Sequence, residues 1–283
     1  MENIRTERIG VLDSGLGGLT VVRELELMLP SESILYFGDN ANCPYGNRPR
    51  EKILDLSLGM LDLMQKQGVK IAAIACNTIS TLIDEFRKRY EFPIVSIIEE
   101  ACKYVVKNKL RSIGVFATSF TISQGLYSTL IQGLSPDTEV YGIPSRTLAS
   151  LIDEGRFYDK AAMDEIEEEV YSLINNLLLA NPETKHVVLG CTHYPIVRDL
   201  FEKAAPGLAF INPAVLQAET VKAILSGRDL LNDSKKTNID IFTSGEREQY
   251  DAAMEKLKIR GPVTLTKINK GEFYVERKLN ETH

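Results

Sequence analysis

Two short segments carry the residues best suited to chemistry, Cys76-Asn77-Thr78 and Cys191-Thr192-His193. Each places a thiol after a short apolar run and follows it with hydroxyl or amide donors. A thiol at a helix N-terminus feels the positive end of the helix dipole and nearby N–H groups, which lower its pKa. A free cysteine titrates about 1.5 units above pH 7. Making thiolate there costs roughly 2 kcal/mol, within reach of one helix terminus and one partner. The same donors can hold a carboxylate, as helix N-termini hold anions. Two such thiols facing one bound acid would act as base and acid on opposite faces of a carbon. A lone cysteine at a strand end is more often a small buried hydrophobe, but two in matching contexts weigh against that reading.

The other thiols and histidines read differently. Cys102 lies on the apolar stripe Ile98, Ala101, Cys102, Val105 and is expected in the core. Cys43, in the loop Asp39-Asn40-Ala41-Asn42-Cys43-Pro44-Tyr45-Gly46, reads as an incidental thiol. Of three histidines, His193 follows Cys191 by two and can tune it near neutral pH, His186 opens a strand, and His283 ends the chain. With no paired histidine spacing and no CxxC, no zinc site is expected. The turn Asp13-Ser14-Gly15-Leu16-Gly17-Gly18-Leu19-Thr20 fails as a dinucleotide fingerprint, because Thr20 stands where glycine is needed, and it lacks the P-loop lysine. Its glycines are expected to let the chain turn tightly, so that Asp13 and Ser14 project into a cleft.

The elements that must position these residues follow from periodicity. Strands are expected at 8–12, 33–37, 70–75, 93–97, 112–117, 138–141, 186–189, 208–211 and 238–242. Helical spacing fills 50–67, 98–107, 158–180 and 246–257, with Ile166, Val170, Leu173, Ile174, Leu177 and Leu178 as the clearest stripe. Alternation of this kind predicts βα units and mostly parallel sheets, whose ligands bind at the strands' carboxyl ends. Asp13 precedes Cys76 by 63 residues and Thr118 precedes Cys191 by 73, which suggests two halves of related plan. The halves are divided as 1–98 plus 213–283 and 99–212. The fold class is therefore α/β: two pseudo-symmetric flavodoxin-like domains with the site in the cleft between them.

Composition bounds the partners. The chain has 283 residues, 44% hydrophobic and 25% charged, typical of a soluble globular protein. Its formal charge of −6 and the absence of a basic cluster argue against nucleic acid and anionic membranes. The first residues lack the apolar core of a signal peptide, and no apolar run approaches the roughly 18 residues of a membrane span. Four cysteines are too few for a disulfide scaffold, so a reduced, cytoplasmic protein is expected.

Taken together, Asp13-Ser14-Gly15-Leu16-Gly17-Gly18, Gly38-Asp39 with Pro44-Tyr45-Gly46, Ala75-Cys76-Asn77-Thr78 and Leu189-Gly190-Cys191-Thr192-His193-Tyr194-Pro195 resemble the cofactor-independent aspartate/glutamate racemases, the glutamate racemases in particular. The motifs stand in the family's order and cover the chain to about residue 257. The resemblance implies two-base 1,1-proton transfer between L- and D-glutamate, without cofactor or metal, supplying D-glutamate for peptidoglycan. It implies a homodimer with a small-molecule substrate. Cys76 would remove the α-proton of D-glutamate while Cys191 protonates the opposite face, assisted by Asp13 and His193 respectively. Ser14, Asp39, Tyr45, Gly46, Asn77, Thr78, Thr118, Thr121 and Thr192 match substrate-binding positions.

The chain departs from the family in three places. The family's second-domain FVPLVE run is here Leu148-Ala149-Ser150-Leu151-Ile152-Asp153-Glu154, so its acid is Asp153 by alignment or Glu154 by a one-residue shift. Its later Asp-Ser-Gly is Asn212-Pro213-Ala214, and residues 258–283 run past the last matched helix. A racemase of aspartate or another acidic amino acid, and a non-catalytic small-acid binder, are the competing readings. The GCTHYP run with Tyr45 and Gly46 favours glutamate, and two thiols are more than binding requires.

Overall fold

The computed structural model describes residues 4–233 and 236–268. The first sheet contains β1 (Arg8–Asp13), β2 (Ile34–Gly38), β3 (Val69–Ile74), β4 (Ile94–Ser96), β9 (Ile239–Thr243) and β10 (Val263–Lys267), in the order β10-β9-β2-β1-β3-β4. The second contains β5 (Ser112–Thr118), β6 (Glu139–Ser145), β7 (His186–Leu189) and β8 (Ala209–Ile211), in the order β6-β5-β7-β8. Every ladder among the described residues is parallel. The runs β2-β1-β3-β4 and β6-β5-β7-β8 share one topology, so β1 corresponds to β5 and β3 to β7. In each run the strand order reverses between the two central strands, where parallel sheets open a crevice for ligands.

The helices are α1 (Leu19–Met28), α2 (Arg50–Lys66), α3 (Asn77–Ser80), α4 (Ile83–Arg87), α5 (Ile97–Lys107), α6 (Ser119–Ser123), α7 (Leu126–Leu134), α8 (Leu148–Asp153), α9 (Lys160–Ala180), α10 (Arg198–Ala204), α11 (Pro213–Gly227) and α12 (Arg247–Leu257). Several starts are written into the sequence. Ser96 caps α5 by accepting from Glu99 N, and Asp159 caps α9 by accepting from Ala162 N. The Asn212-Pro213-Ala214 departure is a helix start as well: Asn212 accepts from Ala214 N, and Pro213 begins α11 where no N–H is required.

Helices α5 and α11 carry the chain between the sheets. Val22, Ile98, Val105, Ile131 and Val221 share one core that reaches both. A second core lies beneath α2, around Ile53, Leu61, Met64 and Phe86. Each such side chain contributes about 1.5–3 kcal/mol on burial.

Three expectations need correction. Strand β6 runs on through Pro144 to Ser145; as an edge strand it tolerates a residue without an N–H. Strand β10 was not foreseen, because Val-Thr-Leu-Thr-Lys is half exposed at the sheet's outer edge and shows no buried run. It lies in the segment 258–283, whose remainder from 269 is outside the described residues. On α9, Leu178 is exposed while Ile166, Val170, Leu173, Ile174 and Leu177 are buried.

At the end of the first sheet away from the cysteines, Lys70 is fully buried and its Nζ lies 2.6 Å from Glu32. It also donates to the carbonyls of Arg5 and Leu230, at 2.7 and 2.9 Å, while Glu32 accepts from Asn232 N. The pair ties the chain's start and the segment after α11 beneath the sheet. Removing one partner strands a buried charge, so Glu32→Ala should cost about 3–5 kcal/mol in urea unfolding. The double variant Glu32→Leu with Lys70→Met should recover most of that loss.

Candidate active site

Both cysteines stand at carboxyl ends of central strands, Cys76 just after β3 and Cys191 two residues after β7. They line one narrow cleft together with Ser14, Tyr45, Gly46, Asn77, Thr78, Thr118, Thr192 and His193. Asp13, the last residue of β1, lies fully buried behind it. Both its oxygens are engaged: Gly15 N donates to Oδ1 at 3.0 Å, and Thr192 Oγ1 donates to Oδ2 at 3.0 Å. The second contact joins the two halves, because Thr192 follows Cys191.

A longer network surrounds His193. Its Nδ1 is 3.6 Å from Cys191 Sγ, and its Nε2 is 2.8 Å from Asp153 Oδ1. The same Oδ1 accepts from Leu16 N at 2.9 Å, and Asp153 Oδ2 accepts from Asn40 Nδ2 at 2.9 Å. Glu154, by contrast, is exposed and faces Arg156 at 3.3 Å. Of the two acids that sequence alone leaves open, the structure brings Asp153 to the histidine. Asn40 itself is held by two hydroxyls, since Tyr250 and Thr243 both donate to its Oδ1, at 2.6 and 3.0 Å. That fixes the amide with its NH₂ toward Asp153.

The remaining expected residues divide by location. Thr78, Thr118 and Thr121 form a hydroxyl triangle with 3.0–3.2 Å edges, Thr121 lying fully buried behind the cleft wall. Tyr127 OH donates to Asn77 Oδ1 at 2.7 Å, while the buried Asn77 Nδ2 has no partner among the described residues. Asp39 is not brought to the cleft: its carboxylate accepts from Asn42, Ser244 and Tyr45, and so it braces the loop that presents Tyr45 and Gly46. Cys43, read as incidental, lines the cleft. Cys102 is core, 2% exposed. Asn40, Tyr127, Thr243 and Tyr250 were missed. Their partners come from segments far away in sequence, so no local pattern marks them.

The glycine-rich turn works by close approach. None of its glycines has positive φ. A Cβ on Gly17 would fall 2.6 Å from Thr192 Oγ1 and 2.7 Å from His193 Nδ1, and one on Gly15 would fall 2.4 Å from Asp153 Oδ1. The turn is bare so that the other half can press against it.

Burial governs the charges. It pushes the Cys76 thiol up to about 12, the nearby Asp13 carboxylate adding to the effect and the Ser14 hydroxyl, 3.4 Å from Sγ, opposing it. The expected lowering at a helix N-terminus does not prevail, because burial outweighs it. Burial likewise raises Asp13 to about 6, with His193, Gly15 N and Thr192 limiting the rise. For His193 burial opposes the charged form, yet its bonds to Asp153 and Cys191 hold it well above the usual histidine range. Burial also disfavours the Asp153 anion, but the His193 bond and charge outweigh it and keep the carboxyl low. The two form a buried ion pair with further donors on the carboxylate.

A model of the Asp/Glu/Hydantoin racemase family matches residues 9–221. A glutamate racemase from Fusobacterium nucleatum is 37% identical over 257 residues, covering 89% of this chain and 94% of that protein. A glutamate racemase isoform from Bacillus anthracis superposes with a TM-score of 0.85 at 28% identity, covering 94% of this chain and 98% of the other. The glutamate racemase of Francisella tularensis, solved in complex with D-glutamate, gives 0.82 at 29% identity over the same shares. With two thiols, two buried carboxylates and a histidine around one cleft, and with these likenesses along most of its length, the chain belongs to the Asp/Glu/Hydantoin racemase family and is an isomerase of the amino-acid racemase kind.

Proposed function

We propose that the protein interconverts L- and D-glutamate by 1,1-proton transfer between Cys76 and Cys191, with Asp13 and His193 as their respective proton partners. The observation that carries this reading is the pair of thiols at corresponding strand ends, both lining one cleft. The names of the relatives support glutamate as substrate. The same reading extends to D-glutamate supply for peptidoglycan, to a cytoplasmic location and to a homodimer. No described helix is long and apolar enough to cross a membrane.

The chemistry follows from the positions. A thiolate on one side takes the α-proton, and the electron pair left on the carbon delocalises into the adjacent carboxylate. The opposite thiol then gives its proton to the other face and becomes the thiolate. With the thiol pushed up to about 12 and the carboxyl to about 6, the Cys76 proton rests on sulfur and its transfer to Asp13 is uphill. A cation such as the substrate ammonium reduces that cost only where it lies nearer the sulfur than the carboxylate, because one anion stands on each side of the transfer. A thiolate that is hard to form is a strong base once formed, as removal of an α-proton demands. Asn77 Nδ2, without a partner among the described residues, and the hydroxyls of Ser14, Thr78 and Thr118 would bind the carboxylates.

Incubated in D₂O without pyridoxal phosphate or metal, the protein should wash out the α-proton of glutamate and abolish its optical rotation. Cys76→Ser and Cys191→Ser should each lower turnover by at least about 10²-fold. Near-normal turnover in either variant removes that thiol from the mechanism, and racemisation of aspartate but not glutamate reassigns the substrate.

Asp153→Asn should lower kcat/KM by about 10²-fold or more, while Glu154→Gln should stay close to the parent protein. Equal losses in the two variants would refute the assignment of the second carboxylate to Asp153.

Asp13 gives a pH test. Its folded pKa of about 6 lies above the ordinary carboxyl value of 3.8, so the folded state holds a proton that the unfolded chain releases between those values. Stability from this group is therefore full below pH 3.8 and falls by about 3 kcal/mol as pH rises past 6. Asp13→Asn should be more stable than the parent at pH 8 in urea titration, yet nearly inactive. The parent's kcat/KM should rise through pH 6 as Asp13 ionises.

A further inference from the structure

Three ligand-type side chains from separate segments converge beside the cleft. Cys43 comes from the loop after β2, Asp153 from the end of α8 and His193 from the turn after β7. One donor atom from each lies within 4.8 Å of the other two. The set is one sulfur, one imidazole nitrogen and one carboxylate oxygen. Zinc accepts three such ligands and leaves a fourth position for water, whereas magnesium and calcium disfavour the thiolate.

The geometry needs little adjustment. Zinc bonds of about 2.3 Å to sulfur and about 2.0–2.1 Å to nitrogen and oxygen place tetrahedral ligand atoms roughly 3.3–3.6 Å apart. The 2.8 Å contact between His193 and Asp153 would open by about half an ångström, with Cys43 closing by up to about 1.2 Å. Gly15 keeps the space clear of a side chain, since a Cβ there would lie 2.4 Å from Asp153 Oδ1 and 3.1 Å from Cys43 Sγ. Asn40 and Leu16 N already orient the carboxylate, as outer partners orient metal ligands elsewhere.

We propose that Cys43, Asp153 and His193 form an inhibitory site for a zinc-class divalent cation. On binding, Cys43 gives up its S–H proton and His193 its Nε2 proton, both to solvent. The ion forms one bond to each of the three side chains, and nothing is oxidised or reduced. His193 then loses its ion pair with Asp153 and can no longer cycle a proton with Cys191. The inhibition rests on the racemase reading, whereas the binding does not. Cys43 has no part in the proton transfer, so the thiol that creates the site is separable from catalysis.

The test uses the full-length protein stripped with EDTA and titrated with ZnCl₂ against a chromogenic chelator, with CoCl₂ as a spectroscopic probe in parallel. One equivalent should bind, racemisation should fall with occupancy, and excess chelator should restore it. Cys43→Ala and Cys43→Ser should each weaken binding at least about tenfold, lose the thiolate-to-cobalt absorption and lose the zinc inhibition, measured against each variant's own metal-free rate. Unchanged affinity and absorption in both variants would overturn the proposal. So would loss of the absorption in Cys76→Ser with its retention in Cys43→Ala, which would put the ion on the catalytic thiols. A protein that binds cobalt through Cys43 but racemises nothing would keep the site and refute the proposed reaction.

Discussion

A buried carboxylate has to be paired, and the pairing of Asp153 sets the form of this molecule. Left alone at that depth, its charge would cost several kcal/mol. It finds His193 within its own half, but its other donors, Leu16 N and the Asn40 amide, belong to the first sheet's loops. Satisfying the charge therefore requires the two halves to meet. Thr192 repeats the device in the other direction by donating to Asp13. Each half supplies an acid whose hydrogen bonds are completed by the other. The bare glycine turn follows from this, because a single Cβ on Gly17 would meet the Thr192 and His193 side chains at under 3 Å.

The same closeness governs the acid–base chemistry. Both thiols and both carboxylates are largely withdrawn from solvent, and burial raises Cys76 and Asp13 together. The two sides are unlike in their partners. Cys76 has a carboxylate held by neutral donors, while Cys191 has a histidine pinned by a carboxylate. A symmetric fold thus presents an asymmetric pair, suited to substrates whose two faces are mirror related but which bind to one chiral protein.

How much of this is legible in sequence depends on range. The ends of β1, β3, β5 and β7 announce themselves because apolar runs stop at small polar residues, and the two cysteines sit at those stops. Parallel pairing and the return of β9 to the first sheet follow from strand–helix alternation and its limits. The choice between Asp153 and Glu154 does not follow, since adjacent residues at a helix end differ only in the direction they face, and packing decides that direction. Asn40, Tyr127 and Tyr250 were invisible for a related reason. An asparagine that orients a carboxylate 113 positions away leaves no local pattern. The pKa of Cys76 was misjudged because a helix dipole is a local inference, whereas burial depends on the whole fold.

Among the described residues, the cleft lining contains no lysine or arginine, although the proposed substrate carries two carboxylates. Coulomb's law supplies a reason. A unit charge about 4 Å away at an effective dielectric near 20 is worth about 4 kcal/mol, or roughly three pKa units. A cation of that kind beside Cys76 would bring the thiol down toward the normal range and make thiolate plentiful, but the base would be correspondingly weak. It would also neutralise Asp13, whose charge helps to keep the thiol high. Neutral donors such as Asn77, Thr78 and Thr118 can orient carboxylates with far smaller effects on thiol basicity. On this view the cleft's dependence on hydroxyls and amides comes from its proton chemistry. Substituting lysine or arginine for strength of binding would weaken the bases that the reaction needs.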